Sequence, residues 1–110
     1  MSFSVILPTL NEKGHIIELI DEISNIFIFQ KKEFEIIVVD DNSTDGTQEV
    51  VEQHLLNKKH LKLIKRKANI KNLANAIQDG ISVSKNEYVI WMDADFQHPP
   101  KYIKNFIEKS

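Results

Sequence analysis

The chain has 110 residues, 42% of them hydrophobic and 27% charged, with a formal net charge of -2. That length allows a single domain with a core of its own. The near-neutral balance gives no global attraction to nucleic acid, and the absence of cysteine excludes disulfides, thiolate metal sites and a cysteine nucleophile.

In chain order, four short β-branched runs stand out: "SFSVIL", "FEIIVVD", "LKLIKR" and "EYVIWMD". Segments with apolar residues at helical spacing separate them. Ile16, Ile17, Leu19, Ile20, Ile23 and Phe27 form one stripe. Val50, Val51, His54 and Leu55 form a second, and Leu73, Ala76, Ile77 and Ile81 a third. Ile103, Phe106 and Ile107 mark a last helix near the end of the sequence. Strand and helix therefore alternate four times, which predicts an α/β fold with a mainly parallel sheet and right-handed crossovers. The near-continuous apolar runs of the second and fourth strands predict strands covered on both faces. Asn11 ahead of Glu12 predicts a helix cap, Thr44 or Asp45 a second one, and Pro99-Pro100 the first turn of the last helix.

The N-terminal "MSFSVILPTLNE" lacks the basic start and long apolar middle of a secretory signal. The most apolar helical stretch, "HIIELIDEISNIFIF", is interrupted by Glu18, Asp21 and Glu22, too polar for a bilayer span. A soluble, cytoplasmic protein is the expectation.

Open parallel sheets bind ligands beyond the carboxyl ends of their strands. The polar residues crowd those ends: "PTLNE" after the first strand, "DDNSTDGT" after the second, "DADFQ" after the fourth. If the last string stays extended, Asp93, Asp95 and Gln97 share one face. Three hard oxygen donors there suit Mg2+ or Mn2+ together with substrate phosphates. A solvated turn whose aspartates cap backbone amides is the competing reading. Glu12 has two readings as well, a carboxylate favouring a helix dipole or an acceptor for ribose or base hydroxyls and amines.

Asp41, Ser43, Asp45, Gly46 and Glu52 approach a calcium-loop spacing, but a strand rather than a helix precedes them and polar Gln48 stands where an apolar residue belongs. The run "KKHLKLIKRKANIK" reads as a solvated strand and loop, with Arg66 placed to reach a phosphate at the strand end. His98 reads as structural or supporting; His15, His54 and His60 belong to no ligand constellation. A phospho-accepting receiver domain would put its acidic pair after the first strand, not at Asp40-Asp41, and its acceptor aspartate after the third, where "KRKAN" stands.

Taken together, "VILPTLNE", "EIIVVDDNSTDGT" and "MDADFQHPP" resemble family 2 glycosyltransferases with the GT-A nucleotide-sugar-binding fold. The last string is most similar to the dolichol- or polyprenyl-phosphate mannosyltransferase branch. The resemblance implies that residues 1–110 are the N-terminal nucleotide-sugar-binding part of such a domain, incomplete at its C-terminus. Pro8, Leu10, Glu12, Val39 and Asp41 would line the nucleotide of a GDP- or UDP-sugar, with Asp93 and Ala94 against its ribose and diphosphate. Asp95, Gln97 and Asp93 would hold Mg2+ or Mn2+. A polyprenyl phosphate at the cytoplasmic face of a membrane would be the acceptor, and transfer would invert the anomeric carbon. Two departures are visible. "NLANAI" puts Asn72 where relatives carry a glycine, and the acceptor-side elements of the family have no counterpart in this sequence. A missing C-terminal part or a partner chain would supply them. The rival reading is a relic or partner-binding fragment that keeps the fold without catalysis.

Overall fold

A computed structural model describes residues 2–67, 73–92 and 101–109. Its elements are β1 (Ser2–Thr9), α1 (Ile16–Phe29), β2 (Glu33–Asp40), α2 (Thr47–Leu55), β3 (Leu61–Lys65), α3 (Leu73–Val83), β4 (Tyr88–Trp91) and α4 (Lys101–Lys109). The four strands form one parallel sheet in the order β3-β2-β1-β4.

Period-two alternation decides which core each strand residue joins. Phe3, Val5 and Leu7 of β1, with Phe34, Ile36 and Val38 of β2, face α1. They meet Ile16, Leu19, Ile20, Ile23 and Phe27, which recur every three or four residues and so share one side of that helix. Val51 of α2 and Ile103 and Ile107 of α4 complete this layer. Each fully buried Ile or Leu contributes about 1.5–3 kcal/mol, well above what helix propensity supplies.

The opposite face, Ile6, Ile37 and Val39, is covered by Ala76 of α3. The chain changes faces because β4 lies on the far side of β1, so a right-handed β3-to-β4 crossover must pass behind the sheet. That reversal falls at the carboxyl ends of β1 and β4, the usual place for a ligand in such sheets.

Three expectations are corrected. β2 is covered on both faces, but among the described residues β4 is an edge strand whose Val89 and Trp91 are 41% and 45% exposed on the α3 side. Its apolar run reflects one buried face only. In α3, Leu73 and Ile81 are exposed, and Ala76 and Gly80 are the buried pair. A Cβ on Gly80 would stand 2.7 Å from the Ile6 side chain, so the helix packs on its smallest residues because it approaches the sheet closely. Asn11 does not cap α1, which starts at Ile16; it sits in a loop with φ 56°. Pro99-Pro100 lie outside the described residues. Among the described residues, no helix is long and apolar enough to cross a membrane.

Candidate functional site

The carboxyl ends of β1 and β2 run in register, Thr9 beside Asp40. There the Thr9 hydroxyl donates to Asp40 Oδ1 at 2.6 Å. Ser43 adds its hydroxyl at 2.6 Å and its amide at 2.8 Å, and Gln48 Nε2 donates to Oδ2 at 2.8 Å. Asp40 is fully buried, with both oxygens engaged by neutral donors. It acts as a knot between strand, loop and helix.

Two loops then interlock. The amides of Asn11, Glu12 and Lys13 donate to Ser43 Oγ, Thr47 Oγ1 and Asp45 Oδ2 at 2.8, 3.0 and 3.1 Å. In return Thr44 N donates to Asn11 Oδ1 at 2.9 Å. Three successive backbone donors that no helix or strand satisfies are thus accepted by side chains of the neighbouring loop. The left-handed backbone of Asn11 and of Asn42 (φ 63°) permits this, since Asn tolerates that region better than most residues. Asp45 also takes the Thr47 amide at 3.0 Å and the Thr47 hydroxyl. The hydroxyl bond first, then the amides, hold its carboxyl below the usual range despite some desolvation. Asp45 therefore caps α2 in function, although Gly46, at φ 98°, occupies the cap position itself. Thr44 makes no cap.

On the other face of the sheet, Asp41 accepts from Arg66 Nη1 at 3.0 Å, and Arg66 Nε reaches Asp79 of α3 at 3.0 Å. Arg66 is buried, its side chain 7% exposed. The sequence places it at the strand end, and there its Nη1 and Nε engage two carboxylates. That pairing locks the ends of β2 and β3 to α3. Pro8 is half-buried, Leu10 exposed and Val39 fully buried beneath α3, so Val39 offers this edge only its backbone. Glu12 lies beside the Asp45–Thr47 knot, and its carboxylate stands 2.7 Å from His15 Nε2. A His15 partner was not foreseen. The three-residue spacing of Glu12 and His15 was the available signal.

At the reversal point, Met92 N donates to Ile6 O at 3.1 Å, which carries β4 alongside β1 up to the acidic string. Asp93, Ala94, Asp95 and Gln97 lie outside the described residues. Among the described residues, no group of three His, Asp or Glu is arranged to hold a metal. Asp40 and Asp41 do not fit that role, since Asp40 is saturated by hydroxyl, amide and side-chain amide donors and Asp41 is committed to arginine. The donor set expected for a divalent cation therefore rests on the undescribed string.

The chain is similar to characterised proteins in sequence and in overall fold. Over 108 residues the chain is 41% identical to the dolichol-phosphate mannosyltransferase of Pyrococcus furiosus, covering 98% of itself and 30% of that protein. With the dolichol-phosphate mannosyltransferase of Saccharomyces cerevisiae it shares 34% identity over 109 residues, covering 98% of itself and 40% of that protein. Among solved structures, the mannosyltransferase PcManGT from Pyrobaculum calidifontis, in complex with GDP-Man and Mn2+, superposes with a TM-score of 0.79 at 28% identity. That match covers 96% of this chain and 31% of the other. TarS 1–349 of Staphylococcus aureus gives 0.75 at 34% identity, over 99% and 33%. The chain thus spans well under half the length of these relatives. Its parallel sheet and flanking helices are those of the GT-A fold. The model of Glycosyl transferase family 2 matches residues 4–110, and the chain belongs to that family.

Proposed function

We propose that the chain is the donor-binding N-terminal part of a metal-dependent glycosyltransferase that moves a sugar from a nucleotide sugar to a polyprenyl phosphate. The observation that carries this reading is the pair of interlocked loops beside the strand-order reversal, a rigid polar rim at the one edge where such a sheet takes ligands. The names of the relatives, dolichol-phosphate mannosyltransferases, support the acceptor class, and the structures with GDP-Man or UDP and with Mn2+ support the donor class.

In this reading the exposed Leu10, with Pro8, Glu12 and Asp41, lines the nucleotide. The Asp40 knot keeps those groups from shifting when the donor arrives, since positioning is what group transfer most needs from the protein. Asp41, held by Arg66 through one oxygen, accepts hydrogen bonds from the base with the other. Asp93 and Ala94 meet the ribose and diphosphate. Asp95, Gln97 and Asp93 are the residues that would hold Mg2+ or Mn2+, which supplies charge neutralisation for the departing diphosphate. The acceptor phosphate oxygen is already anionic, so it forms its bond to the anomeric carbon as the carbon–oxygen bond to the diphosphate breaks. No proton needs removal, and no general base is required. The face of attack is opposite the leaving group, so configuration inverts. The protein works at the cytoplasmic face of a membrane in this proposal.

A second reading, a fragment that keeps the fold and binds a protein partner without catalysis, is favoured by one feature. Val89 and Trp91 of β4, the edge strand among the described residues, are exposed, and Leu73, Ile81 and Val83 of α3 are exposed as well. In our leading reading this face receives the remaining residues of the transferase domain. Calorimetric titration of the 110-residue chain with GDP and UDP, with and without Mn2+, separates the two. Metal-dependent binding that Asp95→Ala weakens at least tenfold supports the donor site; metal-independent binding or none, unchanged by Asp95→Ala, supports the fragment. Sugar transfer by the 110 residues alone would contradict the need for further protein.

A further inference from the structure

The amino ends of the strands carry two adjoining cavities that the proposed transfer does not use. The first, about 520 Å3, opens between the C-terminal ends of α1 and α2. Its floor is apolar and buried: Phe34, Ile36 and Leu61. At its rim Ile28 and Leu56 are 60% and 86% exposed, with Lys58 and Lys59 beside them. The second, about 430 Å3, is lined by Lys32, Lys59, Lys62 and Lys85 against Glu33 and Glu35. Glu35 is already held by Lys62 at 2.7 Å. Ile28, Phe34, Lys59 and His60 belong to both cavities, so an apolar slot runs directly into a basic one.

A simpler account exists for part of this. Lysines that follow a helix offset its C-terminal dipole, about half a negative charge, with a gain of roughly 0.3–1 kcal/mol. Lys58 fits that account and also lies 3.8 Å from Asp21. Lys32, after α1, offsets its own helix in the same way, but Lys59 is left unexplained, since Lys58 alone already exceeds the half charge at the end of α2. Ile28 and Leu56 are also left standing in water over an apolar floor. Single exposed apolar residues are ordinary; two of them around one cavity of ligand size, roughly 300–1,000 Å3, with cations at its far end, form a graded site.

We propose that the joined cavities bind a single-chain anionic amphiphile, an alkyl carboxylate or alkyl phosphate of medium length. Its tail lies on Phe34, Ile36 and Leu61, and its head group lies between Lys59 and Lys32. The site is distinct from the donor edge, because the eight residues of β2 separate the two ends of the sheet by about 26 Å.

The test is an amide-shift NMR titration of the 110-residue chain with sodium octanoate, octyl phosphate, 1-octanol and inorganic phosphate, all below micelle formation. Saturable shifts at Leu55–Leu61, with the loops at 10–15 and 41–47 unmoved, are expected for the two charged amphiphiles. Octanol should bind about fivefold more weakly, the modest worth of a partly exposed ion pair. The tighter of octanoate and octyl phosphate identifies the head group. Lys59→Glu should erase the preference over octanol but leave octanol binding intact. Paired Ile28→Ser and Leu56→Ser should weaken all three octyl ligands. These residues are exposed, so unchanged melting temperatures will show that the variants fold. Equal affinity for octanoate and octanol would overturn the proposal. So would inorganic phosphate binding as tightly as octyl phosphate, shifts that never saturate, or binding to anionic vesicles alone. Loss of nucleotide binding with octanoate binding retained would count against the donor reading and not against this one.

Discussion

Two buried carboxylates sit at opposite ends and on opposite faces of the sheet, each fixed by a hydroxyl from β1. Asp40 at the carboxyl end takes Thr9, Ser43 and Gln48, all neutral. Glu35 at the amino end takes Ser4 at 2.5 Å, the Lys85 amide at 2.8 Å and the ammonium of Lys62. The contrast separates two uses of the same chemical group. At Asp40 the donors come from a strand, a loop and a helix, so the carboxylate organises a surface that must hold its shape. At Glu35 the partners come from neighbouring strands and the turn before β4, so the carboxylate ties the sheet together. The cation beside it offsets burial locally.

The largest effect in this comparison belongs to Asp40→Ala. It leaves the Thr9 hydroxyl, which is buried, and the Ser43 and Gln48 donors without an acceptor. Each buried donor stripped of its partner costs about 1–3 kcal/mol, so about 3 kcal/mol of stability is expected to disappear in urea denaturation. Nucleotide binding should fall with it, because the loops at 10–15 and 41–47 lose their common anchor. Asp40→Asn keeps one acceptor oxygen and should cost less than the alanine. If Asp40→Ala destabilises but donor affinity is unchanged, the knot does not shape the site.

Glu35→Gln comes next and sharpens the contrast through pH. Burial raises the Glu35 carboxyl, but hydrogen bonds from Lys62, Ser4 and the Lys85 amide outweigh it, leaving the group below its usual 4.5. A carboxyl lowered on folding adds stability that is present above its unfolded value and lost as pH falls through the folded one. The wild-type chain should therefore weaken progressively below about pH 4.5, and part of that slope should vanish in Glu35→Gln. At neutral pH the variant should lose about 1.5–3 kcal/mol, the worth of a charge-assisted bond. Lys62 is partly exposed and regains water. Nucleotide titration of the same variant should be unaltered, which is what sets the two carboxylates apart.

Much of this was legible beforehand and some was not, for identifiable reasons. All four strands were readable because β-branched runs broken by polar clusters leave few alternatives. The edge status of β4 was not, because "YVIW" reads the same whether one face is covered or two. Only the packing of Val89 and Trp91 differs. The stripe in α3 misled for a related reason: apolar periodicity counts Leu73 and Ile81 and passes over Gly80, whose lack of a side chain is what lets the helix settle on Ile6. At the candidate site, the acidic pair Asp40-Asp41 was legible as the carboxyl end of β2. Sequence could not assign one to a hydroxyl knot and the other to arginine, since those partners, Thr9 and Arg66, lie 31 and 25 residues away.

The smallest effects come from the backbone and contrast the two edges once more. Lys31 closes α1 in the left-handed region (φ 57°), with Lys31 N donating to Ile28 O at 3.1 Å and Lys32 N to Phe27 O at 3.0 Å. This is the helix ending that glycine normally serves. Asn42 holds a similar φ of 63° at the carboxyl edge. A left-handed conformation costs a side chain with a Cβ about 1–2 kcal/mol, and glycine gives back about 0.5–1 kcal/mol of that in unfolded-state entropy. Lys31→Gly should therefore gain about 0.5 kcal/mol in urea denaturation. Asn42→Gly should fall close to zero, because asparagine already tolerates the region. If both substitutions gain equally, the asparagine is there for another reason than its backbone, and the loop that carries Asp41 is held by its hydrogen bonds alone.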